Sequence, residues 1–355
     1  MRRILFIGDL REHTRSSQRM RELAELGHEV TGVSTVSTQA APPNGQRVSA
    51  LARIRHRLGR PEDPTGANRA VQGLVTDETF DVLWVEKAQS LRSSTLLQAA
   101  NAQPEMRLVF FSEDDMTLAS NQSAWFRKSL PFYDLVVTTK SQNAREAELP
   151  ALGARRVFYV AKTFDPNLHR PLEVSGEDRQ RLGAPVGFIG TFEEPRAKAL
   201  LTLARSGLDV RVWGNGWAEW TGRHARLTVE NRAIYGEEYV RALCATDVNL
   251  GFLRKASRDL HTDRSVEIPA CGAFLLAERT DEHLELFEEG REAEYFGDLL
   301  ELTTKTHHYL AHPDLRREIA RAGRGRALES DYAHGAALRR ILATLEEAHD
   351  GRRAG

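Results

Sequence analysis

Cysteine is scarce in this sequence, and long apolar runs are missing. The 355 residues include only two cysteines, Cys244 and Cys271, and no C-x-x-C spacing. Two thiols cannot form a disulfide framework, and they fit a reducing compartment. No stretch reaches the roughly 20 apolar residues that span a bilayer. The first apolar run ends at Gly8-Asp9, too early for a signal peptide. We therefore expect a cytoplasmic protein without a transmembrane segment.

An excess of either charge is also missing. Forty-nine Lys and Arg residues face 50 Asp and Glu residues, which gives a formal net charge of −1. Nucleic-acid-binding domains are usually basic overall, so this balance argues against a nucleic-acid partner. Apolar residues make up 41% and charged residues 28%, as in ordinary soluble globular proteins. The composition supports a sizeable core and excludes disorder as a description of the whole chain.

Three common motifs of nucleotide sites and hydrolases are absent as well. The first predicted strand ends in Gly8-Asp9-Leu10-Arg11 rather than in G-x-G-x-x-G, and residues 187–191 lack the third glycine of that fingerprint. No Gly-Lys-Ser/Thr triplet of a P-loop and no G-x-S-x-G elbow occurs. These absences disfavour a classical dinucleotide-binding dehydrogenase, a P-loop kinase and an α/β-hydrolase.

Continuous apolar runs alternate with helical segments along most of the chain. Strands are predicted at 4–7, near 30, and at 80–86, 108–112, 135–139, 157–160, 186–190, 210–213, 247–252, 273–277 and 294–296. Predicted helices include 16–26, 195–206, 237–245, 299–310 and 336–349. Apolar strands that alternate with helices predict parallel sheets covered on both faces.

A connector with the sequences Asp165-Pro166 and His169-Arg170-Pro171 separates two such series. We predict an α/β fold of two Rossmann-like, doubly wound domains, at 1–165 and 166–335, followed by a terminal helix within 336–355. Ligands bind at the carboxyl ends of parallel strands, so the expected site is the cleft between the domains.

Residues 37–66 interrupt this alternation with repeated proline and glycine, and they include a basic stretch at 53–60. A helix is predicted at 48–58. It fits a solvated surface helix, or an element that binds an acceptor or a membrane surface. Peripheral membrane contact is therefore left open.

The stretch 254–277 combines basic, acidic and glycine residues after a predicted strand. We predict a short helix that begins near Arg264 and ends at Gly272, because Pro269 is best tolerated in a first helical turn. A helix N-terminus beside an arginine favours a diphosphate. Glu267 fits a ligand of a ribose diol or a capping carboxylate. Asp259 fits a contact to sugar hydroxyls or a solvent-facing loop charge.

Residues 264–274, with the sequence RSVEIPACGAF, resemble the C-terminal signature of GT-B glycosyltransferases, especially the CgeB-like (spore-maturation-protein-like) branch within the family 1 and 4-like group. Retaining members carry two acidic residues eight positions apart. Asp259 and Glu267 match that spacing, with Asp at the first position where Glu is typical. Weaker matches are spread along most of the chain, at residues 8–10, 111–116, 138–140, 169–171, 188–193 and 287–292.

This resemblance implies a GT-B fold and transfer of a sugar from a nucleotide-diphosphate donor to an acceptor. The C-terminal domain would hold the donor, the N-terminal domain would hold the acceptor, and the terminal helix would cross back to brace the first domain. The pair of acidic residues favours retention of configuration. No metal and no cofactor are expected, and the setting would be polysaccharide, glycolipid or protein glycosylation.

The candidate donor-binding residues follow the strands and the short helix of the second domain. They are Gly190, Thr191, Arg196, Trp213, Gly214, Asn215, Arg254, Lys255, Arg264, Ser265 and Glu267. Arg196 and Arg264 would neutralise the diphosphate as its charge grows, or else they are solvated surface arginines. The turn at 213–217 fits a loop near the base or sugar, or a turn with aromatic packing.

Candidate acceptor-binding residues follow strands of the first domain. They are Gly8, Asp9, Lys87 and Lys140, and the candidate catalytic residues are His13, Asp114, Asp115 and Asp259. An inverting reaction would need a base near the acceptor, and His13, Asp114 or Asp115 could supply it. The acidic run at 113–115 also suggests a metal motif, but that motif belongs to a different glycosyltransferase fold.

Two rival functions stay open. A sugar-nucleotide epimerase can share the two-domain fold and would need no acceptor. A non-catalytic protein that binds a nucleotide-sugar or acts as a scaffold would show no turnover.

Overall fold

Two compact units make up the chain. The computed structural model describes residues 1–37 and 59–353, with side chains to residue 347. One unit contains Met1–Ala161 together with His334–Gly355, and the other contains Lys162–Ala333. The helix predicted at 48–58 lies outside the described residues, as does most of the basic stretch at 53–60.

The first unit has a six-stranded parallel sheet with the strand order β2-β1-β3-β4-β5-β6. The strands are β1 (Arg3–Gly8), β2 (Glu29–Ser34), β3 (Val82–Glu86), β4 (Arg107–Ser112), β5 (Leu135–Thr138) and β6 (Val157–Tyr159). The first four helices are α1 (Arg15–Glu25), α2 (Ala67–Asp77), α3 (Ser93–Ala102) and α4 (Ala124–Ser129). Every residue of β3 is buried, as expected for a central strand with helices on both faces.

The second unit repeats the plan with the order β12-β11-β10-β7-β8-β9, again all parallel. Its strands are β7 (Ala184–Ile189), β8 (Val210–Trp213), β9 (Leu227–Val229), β10 (Thr246–Gly251), β11 (Leu275–Glu278) and β12 (Glu294–Phe296). Its helices are α5 (Gly176–Leu182), α6 (Glu194–Arg205), α7 (Gly236–Ala245), α8 (Asp263–Ala270), α9 (Asp281–Leu286), α10 (Leu299–Ala311) and α11 (Pro313–Glu329). The predicted class, two doubly wound parallel sheets, is confirmed.

The order of strands reverses once in each sheet. In the first unit the reversal falls between β1 and β3, and in the second it falls between β7 and β10. Loops from the two strands leave in opposite directions at such a point, which opens a crevice beyond their carboxyl ends. This topology places one candidate crevice in each unit.

The last helix, α12 (His334–Arg353), belongs to the first unit. Its apolar side chains pack in a buried cluster on one face of that unit's sheet. The cluster includes Ile4, Phe6, Leu23, Val82, Trp84, Leu338, Ile341, Leu342 and Leu345. The spacing of the four side chains from α12 follows one helical face, which explains why the segment is helical and why it packs on the sheet.

The predicted position of Pro269 is wrong. The helix α8 begins at Asp263 after the N-cap Thr262, so Pro269 lies in its last turn and not in its first. The proline is tolerated because α8 ends one residue later, and only one intrahelical hydrogen bond is lost. Gly272, at φ +67°, then closes the helix.

Candidate functional site

The loops after β7 and β8 pack tightly through two glycines. A Cβ on Gly214, whose φ is +149°, would lie 2.0 Å from the Gly190 carbonyl oxygen. The Gly190 N–H donates to the Trp213 carbonyl at 2.8 Å, and the Trp217 indole N–H donates to the Gly190 carbonyl at 2.9 Å. A larger residue at 214 would push the two loops apart, and a Cβ on Gly190 would lie 2.6 Å from the ring of Phe188, so both glycines are needed for the packing at the edge of the crevice.

The guanidinium groups of two arginines lie near the same aromatic ring at this crevice. The guanidinium carbons of Arg196 and Arg264 lie 5.7 Å and 5.6 Å from the ring centroid of Phe188, which is in β7. Arg196 is the third residue of α6, is 6% exposed, and donates through Nη1 to the Thr191 carbonyl at 3.1 Å. The Nε atoms of both arginines are buried without a hydrogen-bond partner. A buried donor without a partner is costly, so both groups would gain from an anionic ligand.

The charge of the arginine pair is only partly compensated. Burial, and then the charge of Arg264, lower the pKa of Arg196, while Glu193 and Asp259 act in the opposite direction. Glu193 lies 3.4 Å from Nη2 of Arg196 and also 2.7 Å from Nε of Arg254. Among the described residues, no carboxylate lies within salt-bridge distance of Arg264. The positive charge of Arg264 is therefore not neutralised by a direct ion pair from the described part of the chain.

Helix α8 starts beside these arginines, and its first turn is fixed by buried hydrogen bonds. The Thr262 N–H donates to the Ser265 hydroxyl at 3.0 Å, in a reciprocal capping box. The Ser265 oxygen lies 2.7 Å from Nε2 of His283, and Nδ1 of that ring lies 2.6 Å from the Glu278 carbonyl. Since Nδ1 must carry the proton to donate to a carbonyl, the Ser265 hydroxyl donates to Nε2. Ser265, a candidate donor ligand, is thus used to hold the helix start.

Burial lowers the pKa of His283 to about 4. The ring is therefore neutral at pH 7, which matches its role as acceptor from Ser265 and donor to a carbonyl.

Glu267 lies in the middle of α8 and is 4% exposed. Its Oε2 accepts a hydrogen bond from the Tyr239 hydroxyl at 2.6 Å, and its Oε1 lies 3.6 Å from Nε2 of His169. Asp259, eight residues earlier, is half-buried, and its Oδ2 accepts from the Arg254 N–H at 3.2 Å. The sequence marks His169 only as part of the connector and of a weak family match, and no pattern in it marks Tyr239 as a neighbour of Glu267. Neither spacing nor composition signals a contact between such distant positions.

The remaining donor candidates divide by exposure. Trp213 is buried, with the guanidinium carbons of Arg211 and Arg232 at 5.0 Å and 4.6 Å from its ring, which supports the aromatic-packing interpretation. Asn215 is exposed at the tip of the same turn. Lys255 is also exposed, and its Nζ lies 2.5 Å from the Glu278 carboxylate.

In the first unit, a buried ion-pair network lies at the crevice between β1 and β3. Arg19 donates to both carboxylate oxygens of Glu86 at 2.6 Å and 2.9 Å, and to Glu113 at 2.9 Å. Burial lowers the pKa of Arg19, but the charges and hydrogen bonds of Glu86 and Glu113 together raise it by more. The Ser16 hydroxyl joins by donating to Glu86 at 2.8 Å, and a Cβ on Gly8 would lie 2.4 Å from that hydroxyl oxygen. No sequence pattern marks Arg19, and Gly8 has a packing role here.

The acidic pair after β4 has two different environments. Asp115 is fully buried, and its Oδ1 accepts from the Thr117 hydroxyl at 2.7 Å and from Asn143 at 2.8 Å. Asp114 is half exposed and is paired with Lys87. Of these two candidate bases, only Asp114 is open to solvent.

Three other candidates of the first unit lie after strands. His13 has φ +65° and an exposed side chain. Asp9 forms an ion pair with Arg11 at 2.5 Å, and the hydrogen bond from Arg11 lowers the pKa of Asp9. Lys140 is buried after β5.

Within the described residues, no group of three or more His, Cys, Asp or Glu side chains is arranged to bind a metal ion. Within the same part of the chain, no helix is both long and apolar enough to cross a membrane.

Comparisons with known proteins bear on the family and the fold of this chain. The profile of a family described as "Glycosyl transferase-like" matches residues 196–343, which include α6 from Arg196 onward and α8. A comparison with curated proteins finds no match.

Solved structures resemble the whole chain. Sucrose-phosphate synthase from Thermosynechococcus elongatus has a TM-score of 0.66 at 14% identity, covering 98% of this chain and 100% of its own. The Anabaena protein HepE in complex with UDP-glucose has a TM-score of 0.63 at 14% identity, with coverages of 98% and 100%. A protein from Listeria monocytogenes described as a UDP-N-acetylglucosamine 2-epimerase has a TM-score of 0.58 at 15% identity, with coverages of 98% and 97%. The chain therefore has the GT-B fold, and its residues 196–343 match a glycosyltransferase-like family.

Proposed function

We propose that this protein is a metal-independent glycosyltransferase that moves a sugar from a nucleoside-diphosphate donor to an acceptor. The observation that carries the proposal is the arginine pair on Phe188, in which Arg196 and Arg264 each keep a buried Nε without a partner. A diphosphate offers several charged acceptor oxygens to such donors, and the start of α8 adds the positive end of a helix.

In the proposed reaction, the bond between the anomeric carbon and the diphosphate oxygen breaks, and a bond to an acceptor oxygen forms. Negative charge grows on the leaving diphosphate in the transition state, and Arg196 and Arg264 stabilise it. Glu267 binds the ribose of the donor, and Asp259 contacts the hydroxyls of the transferred sugar. The first unit holds the acceptor, whose hydroxyl proton passes to a base.

We propose retention of configuration, because Asp259 and Glu267 match the acidic pair of retaining GT-B enzymes. Under inversion, Asp114 is the better base of its acidic run, because Asp115 is buried and hydrogen-bonded. HepE has been crystallised with UDP-glucose, so uridine nucleotides are the first donors to test.

Binding tests the donor site directly. Isothermal titration with UDP, GDP, dTDP, ADP and CMP is expected to show one preferred diphosphate. Arg264→Gln should weaken its binding by about 10- to 100-fold, the usual value of a hydrogen bond to a charged group. The matched control is Arg226→Gln, a half-exposed arginine of the same unit that pairs with Asp209. The donor site is refuted if no nucleotide binds at millimolar concentration.

Product analysis separates the proposed activity from its rivals. Incubation of the preferred nucleotide-sugar with a panel of glycan, lipid and protein acceptors should give a glycoside whose anomeric configuration NMR assigns. An epimerised or free sugar formed without any acceptor would instead support the epimerase. Nucleotide-sugar binding without turnover on any acceptor would support a non-catalytic role.

A further inference from the structure

We propose that Tyr239 and His169 are positioning residues that hold the Glu267 carboxylate in the orientation that reads the ribose hydroxyls of the donor. This inference rests on the proposed function. It adds a way for the site to distinguish a ribose from a sugar that lacks the 2′ and 3′ hydroxyls. Tyr239 comes from α7, Glu267 from α8, and His169 from the segment before α5. The second unit therefore brings three separate segments to one carboxylate.

The two neighbours approach different oxygens of Glu267. The Tyr239 hydroxyl donates to Oε2 at 2.6 Å, and Nε2 of His169 lies 3.6 Å from Oε1. Because one group faces each oxygen, rotation of the carboxylate about its terminal bond is restricted. A carboxylate that accepts two hydrogen bonds from a vicinal diol must lie in a defined plane. Restricting its rotation therefore favours binding of the diol.

The tautomer of His169 follows from its backbone neighbour. Nδ1 lies 3.1 Å from the Asp165 N–H, which can only donate, so Nδ1 is the unprotonated nitrogen. The ring N–H is then on Nε2, the nitrogen that lies 3.6 Å from Oε1 of Glu267. The His169 N–H also donates to the Asp165 carbonyl at 2.8 Å, so a tight turn fixes the backbone of this histidine.

The surroundings keep both groups in place and keep the phenol protonated. His169 is 4% exposed, and the rings of Tyr239 and Phe164 pack edge-on against it at 6.1 Å and 6.5 Å. Burial, and then the charge of Glu267, raise the pKa of Tyr239 well above its ordinary value. The hydroxyl therefore stays a donor throughout the physiological pH range.

The test compares affinities for nucleotides with and without the ribose diol. UDP, GDP and ADP are each titrated against their 2′,3′-dideoxy analogues, and the ratio of the two Kd values measures how well the diol is read. We expect at least a tenfold preference for the ribonucleotide in the native protein. Tyr239→Phe should reduce this ratio by about 3- to 10-fold while leaving the affinity for the dideoxy analogue almost unchanged. A purely structural loss would weaken both ligands equally.

Two variants of His169 keep the test decisive if Tyr239→Phe is unstable. His169→Leu should also reduce the ratio, and His169→Gln, which keeps an N–H donor at a similar reach, should restore part of it. Tyr235→Phe is the matched control, since this tyrosine is 62% exposed at the start of the same helix. Glu267→Gln should remove the preference for the diol.

The outcomes distinguish the two proposals. If none of the five nucleotides of the donor panel binds, the donor site itself is refuted. If only dTDP binds, which lacks the 2′ hydroxyl, the reading of a ribose diol is wrong and the donor site stands. If a ribonucleotide binds but Tyr239→Phe and His169→Leu keep the native ratio, the positioning role is wrong and the donor site stands. If Glu267→Gln keeps the ratio, Glu267 is not the group that reads the diol, and the positioning role falls with it.

Discussion

Buried polar side chains decide much of the behaviour of single residues in this protein. Asp114 and Asp115 are neighbours in sequence, yet Asp115 is fully buried with hydrogen bonds to Thr117 and Asn143, whereas Asp114 faces solvent beside Lys87. Identical chemistry at adjacent positions thus has different consequences, because the carboxyl end of β4 turns one side chain inwards.

A stability difference between these two aspartates follows. Asp115→Ala leaves buried donors unsatisfied and should lower the free energy of unfolding by about 2–3 kcal/mol. Asp114→Ala removes an exposed ion pair and should change it by less than about 1 kcal/mol. Urea unfolding of both variants measures the difference. Equal effects of the two substitutions would contradict the structural role of Asp115.

The buried His283 predicts a pH dependence of stability. Its folded pKa of about 4 lies below the ordinary histidine value of 6.5. The unfolded chain therefore binds a proton first as the pH falls. The stabilisation is complete above about pH 6.5 and is lost between there and about pH 4, to a total of roughly 3 kcal/mol.

Urea unfolding at pH 7, 5.5 and 4.5 checks this expectation. The loss of stability with falling pH should be smaller in His283→Gln than in the native protein, because glutamine does not titrate. His308→Gln, at an exposed position of α10, is the control and should keep the native pH dependence. The assignment is wrong if His283→Gln and the native protein lose stability in parallel.

At the scale of elements, short helices and tight turns set the geometry of the crevice in the second unit. The C-terminus of α8 is closed by two hydrogen bonds, from the Gly272 N–H to the Pro269 carbonyl at 2.8 Å and from the Ala273 N–H to the Ile268 carbonyl at 3.2 Å. This is a Schellman motif, which needs a left-handed residue at its turn. The helix that carries Arg264 and Glu267 therefore depends on one glycine.

Gly272→Ala should destabilise the second unit. The residue has φ +67°, and a Cβ there would lie 3.3 Å from Cγ of Pro171, so we expect a cost of about 1–2 kcal/mol. Gly73→Ala, within α2, meets nothing within 4 Å and should instead be neutral or stabilising by up to about 1 kcal/mol. In thermal unfolding, Gly272→Ala should lower the melting temperature, whereas Gly73→Ala should leave it unchanged or raise it.

At the scale of the whole molecule, the chain builds two units of the same plan, and the first is completed only by its last helix. Ile341 of α12 is fully buried in the same cluster as Ile4 and Trp84. The first unit thus joins residues from both ends of the sequence. Its stability must depend on a segment that follows the entire second unit.

Ile341→Ala should weaken the first unit selectively. Removing this side chain costs about 2–5 kcal/mol in a packed core. Limited proteolysis followed by mass spectrometry should show cleavage within Met1–Ala161 accelerated by more than about tenfold, with Lys162–Ala333 little affected. Ala343→Ser, at an exposed position of the same helix, is the control. Uniform acceleration in both units would contradict the selective effect.

The sequence by itself determined the class of fold and most of its elements. Apolar runs and helical spacing are local properties, so the predicted strands and helices that fall on described residues agree with the structure to within a few residues. The resemblance of residues 264–274 also pointed to α8 and its arginine. Local rules did not predict the short edge strand β9 or helix α11, and they put Pro269 in the first turn of α8 although it lies in the last.

Only the tertiary structure decided which distant side chains share a site. Tyr239, His169 and Glu267 meet because α7, α8 and the segment before α5 pack in the second unit, and no periodicity links such positions. Packing likewise placed Arg196 beside Arg264 and turned Asp115 away from solvent. Burial and the direction of a side chain depend on the surrounding chain, so a residue's type and spacing alone do not determine its chemistry.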